Sequence, residues 1–60
     1  MTTEEAIVYF GGAKPLADAL GIWPHAIYRW GDYPPMGRQY ELEVITHGAL
    51  KAERHDDDQG

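Results

Sequence analysis

The sequence contains no cysteine, which excludes disulfide bridges and cysteine-ligated metal sites and fits an intracellular setting. No apolar run approaches the roughly 20 residues of a membrane span. The opening MTTEEAIVYF carries no basic segment of the kind that starts a secretory signal. A soluble, cytoplasmic protein is expected. Catalytic signatures are missing as well. There is no Gly-rich phosphate loop and no HExxH, and His25, His47 and His55 are scattered without a paired nucleophile. Sixty residues permit one domain with a modest core, and a domain of that size buries only about 60% of its unfolded surface. Little room remains for a pocket that excludes water. Neither an enzyme, a cofactor nor a small-molecule substrate is expected.

Positive charge is scarce. Five basic residues against ten acidic ones give a net charge of −5, the wrong sign for neutralising phosphates. The distribution matters more than the total. Glu53, Asp56, Asp57 and Asp58 crowd the last residues with Arg54 alone against them. Residues 1–52 hold Glu4, Glu5, Asp18, Asp32, Glu41 and Glu43 against Lys14, Arg29, Arg38 and Lys51, a net of −2.

What the chain does contain is AKPLADALGIWPHAIYRW, residues 13–30, which reads as a helix, a tight turn and a second helix. Ala17 is small enough to let a second helix approach. Gly21 opens the turn because it accepts positive φ without a Cβ clash. Ile27 then pins the second helix to the first, and Leu16, Leu20, Ile22 and Trp30 fall at the remaining apolar positions. In such a unit the second helix enters the DNA major groove, so the ligand it points to is duplex DNA. Pro24 suits a first helical turn and holds Trp23 extended. Over 24–30, Ile27 and Trp30 face inward at i, i+3, and His25, Tyr28 and Arg29 project the other way. Arg29 fits a bidentate guanine contact or a phosphate clamp. His25 and Tyr28 offer single hydrogen bonds or contact with a thymine methyl. Lys14, next to Pro15 at a helix start, is placed for a phosphate, and Trp23 and Arg38 are assigned to phosphates with it. Asp18 reads as a solvent-facing helix residue.

Around this unit, Thr2 and Glu5 have capping-box spacing, and Ala6, Ile7, Phe10 and Val8 supply an apolar face before Gly11 and Gly12 stop the helix. Gly31 to Pro35 make a loop. Residues 36–52 fit two periods. Alternation sets Tyr40, Leu42, Val44 and Thr46 on one strand face, giving a hairpin at about residues 39–53 with a turn at Gly48. Helical spacing sets Leu42, Ile45 and Ala49 in a core stripe, extended by Met36 or Gln39, with the helix ending at Gly48. Periodicity alone does not decide between them. The domain is expected to span 1–52 and to be followed by a disordered acidic tail, 53–60. His55 beside its aspartates lacks a closed ligand set, so no metal site is expected.

From residue 4 to about 52 the chain resembles the Cro repressors of lambdoid bacteriophages. The likeness runs through YFGGAKPLADALGIWPHAIYRW, a proline-containing loop and LEVITHGALK. Pro35, Leu42-Glu43, Thr46 and Gly48-Ala49-Leu50 are similar to the branch whose C-terminal half is helical. The resemblance therefore implies an all-α domain of four to five short helices, the alternative being α+β with the C-terminal hairpin. It implies a transcriptional repressor that binds a near-palindromic operator as a dimer. By position, Pro24, His25, Tyr28 and Arg29 fall where the family contacts bases, and Lys14 and Arg38 fall near its phosphate contacts. Pro24 stands where many members carry a polar reader, and Trp23 and Tyr28 are bulkier and less amide-like than common alternatives. The homodimer is expected to be weak, completed on DNA and joined through residues 36–50. The competing reading is an acidic protein-interaction module derived from such a domain, suggested by the net charge and by Trp23, Tyr28 and Tyr33.

Overall fold

The structure, a computed structural model, describes residues 1–53 and is all-α: α1 is Thr3–Phe10, α2 Ala13–Leu20, α3 Pro24–Tyr28 and α4 Met36–Ile45. The capping box expected at the start of α1 is present. The Glu5 N–H donates to Thr2 Oγ1 at 3.0 Å, and the Thr2 N–H donates to Glu5 Oε1 at 2.7 Å. The helix ends where Gly11 takes a left-handed conformation, and the Gly11 and Gly12 N–H groups close on the Ile7 carbonyl. Its inward face is Ala6, with Ile7 and Phe10 partly buried, while Val8 is exposed.

One core serves the whole domain. Ala6 from α1, Leu16, Ala17 and Leu20 from α2, Ile27 from α3 and Leu42 from α4 are buried together with Met1 and Leu50. Helix α2 is central and packs against both α1 and α3. The 31–35 loop is fastened to the start of α1 by the Thr3 N–H, which donates to the Asp32 carbonyl at 2.9 Å.

The C-terminal half resolves as helix, which overturns the hairpin alternative: among the described residues there is no strand. Extended Pro35 leads directly into α4, whose first turn is closed by the Gln39 N–H on the Pro35 carbonyl at 2.9 Å. The helix ends at Ile45, short of Gly48. Its buried stripe is also rotated from the expected one. Gln39, Leu42 and Thr46 face inward, whereas Ile45 and Ala49 are exposed.

The rotation has a cause in the segment that follows. After the turn at His47 and Gly48, residues 50–53 run back along α4 and are held by its side chains. The Leu50 N–H donates to Thr46 Oγ1 at 3.1 Å, the Ala52 N–H to Glu43 Oε1 at 2.9 Å and the Glu53 N–H to Gln39 Oε1 at 2.7 Å. Residues 39, 43 and 46 lie on one helix face at i, i+4, i+7. The returning chain thus pairs with side chains instead of a partner strand. Gln39 has no exposed surface. Its Nε2 donates to the Pro34 carbonyl at 2.9 Å, and its Oε1 also lies 3.4 Å from the Met1 α-ammonium. That ammonium donates to the Lys51 carbonyl at 2.6 Å and pairs with Glu53 at 3.1 Å. Glu53, assigned to the tail on sequence, is therefore held by the domain; the rest of that assignment, residues 54–60, lies outside the described residues, as does His55.

Candidate nucleic-acid interface

The unit formed by α2, the turn and α3 is built on three residues. Ala17 and Ile27 have no exposed surface: the small Ala17 side chain lets α3 approach, and Ile27 fills the contact. At the turn Gly21 has φ +70°. Its N–H bonds the Asp18 carbonyl at 3.2 Å and the next N–H, of Ile22, returns to the Ala17 carbonyl at 3.0 Å. These bonds satisfy the last carbonyls of α2. Trp23 is extended and Pro24 occupies the first turn of α3, as expected.

Helix α3 is shorter than the expected 24–30. The N–H groups of Arg29 and Trp30 reach back three residues, to Ala26 at 3.2 Å and Ile27 at 3.1 Å. That tightens the last turn, and Trp30 folds onto the core. Arg29 is thereby the C-cap residue and keeps helical backbone angles.

On the outer face of α3, His25, Tyr28 and Arg29 are all exposed, Tyr28 at 71%. Trp23, 74% exposed, stands at the helix entrance beside half-buried Pro24. Lys14, Asp18, Gly21, Ile22, Trp23 and Pro24 line one shallow groove between the start of α2 and the turn. Lys14 Nζ lies 3.7 Å from Asp18 Oδ2, one helical turn on. Both side chains are exposed, and such a pair is worth little in water, so a phosphate can replace the carboxylate. Asp18 is solvent-facing on α2, as expected, and its exposed carboxylate also lines this groove.

Arg38 is placed differently. It lies on α4 and its Nη1 donates to Glu41 Oε1 at 2.8 Å, with both side chains half-buried. The structure brings Lys14, Trp23 and Pro24 together and sets His25, Tyr28 and Arg29 on one helix face. It does not bring Arg38 to either group. Among the described residues no cluster of His, Asp or Glu is arranged to hold a metal ion, and no helix is long and apolar enough to cross a membrane.

Comparison with known proteins agrees with this arrangement. The chain is 39% identical over 51 residues to the regulatory protein cro of Salmonella phage P22, covering 85% of this chain and 84% of that protein. It is 38% identical over 52 residues to the repressor protein of the division inhibition gene dicB of Escherichia coli strain K12, covering 85% and 68%. Among solved structures, N15 Cro complexed with consensus operator DNA superimposes with a TM-score of 0.82 at 34% identity, covering 88% of this chain and 87% of that one. Residues 2–60 match the family model described as DNA-binding transcriptional regulator Cro, and the chain belongs to that family.

Proposed function

We propose that this protein is a transcriptional repressor that occupies a near-palindromic operator in the bacterial cytoplasm and so excludes polymerase. It acts through binding alone, with no covalent step and no cofactor. The observation that carries the reading is the exposed outer face of α3, held by Ile27 alone against a helix-turn-helix scaffold that superimposes on an operator-bound Cro protein. The DNA-binding domain spans residues 1–52 together with Glu53, which Gln39 and the Met1 ammonium hold to it. Pro24, His25, Tyr28 and Arg29 contact bases in the major groove, and Lys14 and Trp23 hold phosphates at the groove beside the turn. Arg38 reaches a phosphate by leaving Glu41.

Half-sites one DNA turn apart require two copies, with recognition helices about 34 Å apart. A weak homodimer completed on DNA meets that need. Its contact is the outward face of α4, where Tyr40, Val44 and Ile45 are exposed. Selection from random duplex DNA at low salt, followed by a salt titration on the enriched sites, tests the proposal. A palindromic consensus is expected, with affinity that falls steeply in salt. Arg29→Ala should then weaken specific binding by about 1–3 kcal/mol if its guanidinium reads a base. No enrichment at any salt would refute the repressor reading and favour a protein-interaction module.

A further inference from the structure

The side chains that read adenine elsewhere are missing from this surface. Adenine is distinguished in the major groove by a bidentate amide, from Asn or Gln, on its N6 and N7. This chain has no asparagine and no serine at all. Of its two glutamines, Gln39 is buried and committed to Pro34 and Glu53, and Gln59 follows the acidic run Asp56–Asp58 near the C-terminus. The threonines are equally unavailable: Thr2 caps α1, and Thr3 and Thr46 are buried. His25 and the Tyr28 hydroxyl can each make only a single hydrogen bond, without the bidentate fork that fixes adenine. The major-groove mark of an A·T pair that needs no hydrogen bond is the thymine C5-methyl group, which is read by apolar contact.

We infer that Tyr28 is a specificity-determining residue that reads a thymine methyl through the face of its ring, so that A·T pairs in each half-site are recognised from the thymine side. The inference rests on the operator-binding reading above. Tyr28 projects from the outer face of α3 with most of its surface free, so it meets the groove without repacking the core. Arg29 beside it supplies the complementary preference for guanine.

The test uses the full chain and the enriched operator from the random-duplex selection, resynthesised with deoxyuridine for thymidine at each half-site position in turn. This removes the methyl and leaves the pairing edges unchanged. At one thymine per half-site, affinity should fall about fourfold per methyl lost, and about fifteenfold when both half-sites are changed. Tyr28→Phe should keep that sensitivity, because the ring does the reading. Tyr28→Ala should bind thymidine and deoxyuridine operators alike; circular dichroism on both variants verifies that the exposed site leaves the fold intact. Deoxyuridine tolerated at every position would overturn the inference, as would sensitivity that survives in Tyr28→Ala. Loss of the sensitivity in Tyr28→Phe would overturn it too, by assigning the contact to the hydroxyl. A selection that enriches nothing would instead overturn the operator-binding reading from which the inference starts.

Discussion

Replacing Gln39 with methionine keeps the volume and removes the amide, and it tests whether the polar contacts of α4 hold the C-terminal half together. Gln39 has no exposed surface and makes hydrogen bonds of 2.9 Å to the Pro34 carbonyl and 2.7 Å from the Glu53 N–H. In the variant the Pro34 carbonyl is left buried without its donor, which costs about 1–3 kcal/mol. The Glu53 N–H is only partly buried and can turn to water, and the buried Met1 ammonium keeps the Lys51 carbonyl and Glu53, so each loses about 0.5 kcal/mol. Burying a thioether in place of an amide returns about 1 kcal/mol, leaving a net loss of about 2 kcal/mol. A chain this small has total stability of about 3–9 kcal/mol at 0.05–0.15 kcal/mol per residue, so the effect is large. Urea unfolding followed by tryptophan fluorescence reads it. With an m-value of about 1 kcal/mol/M, the midpoint should fall by roughly 2 M. A midpoint within about 0.5 M of the parent would refute the reasoning, since an apolar core would then serve as well as the amide.

At the turn, Gly21 sits at φ +70° with open space around the position a Cβ would take. Gly21→Ala should therefore cost only the backbone strain, about 1–2 kcal/mol, seen as a Tm lower by about 4–16 °C. Gly21→Asn should lose less, because asparagine tolerates that conformation. Val44 is 73% exposed on α4, so Val44→Asp should leave the melting of the free chain nearly unchanged. The same change should abolish cooperative filling of a two-half-site operator in a gel-shift titration while single half-site binding persists.

The N-terminal half was legible because its punctuation is local. The Thr2–Glu5 box, Gly21 and Pro24 each act on neighbouring backbone, and the structure places each in the expected role. The C-terminal half was not, because Tyr40, Leu42 and Val44 satisfy a strand pattern as well as Leu42 and Ile45 satisfy a helix. Hydropathy also pointed to the wrong helix face. The stripe that turns inward contains Gln39 and Thr46, whose polar atoms are consumed by the backbone of 34, 42, 50 and 53. Hydropathy cannot register a polar residue that is buried for its hydrogen bonds. A side-chain ladder at i, i+4, i+7 followed by a returning segment was the available signal. At the candidate interface, the exposed face of α3 followed from the position of Ile27. The tightened last turn did not, because it depends on where Trp30 finds the core.

Helix α3 contributes a single fully buried side chain, Ile27, to the domain. His25, Tyr28 and Arg29 make no core contact, so exchanging them costs within about 0.5 kcal/mol of stability. On the proposed assignment of base contacts, what the protein recognises and whether it stays folded are governed by different residues. A lineage carrying this scaffold can move to a new operator in single steps without first acquiring a stabilising mutation, and the helix can be rewritten as a cassette.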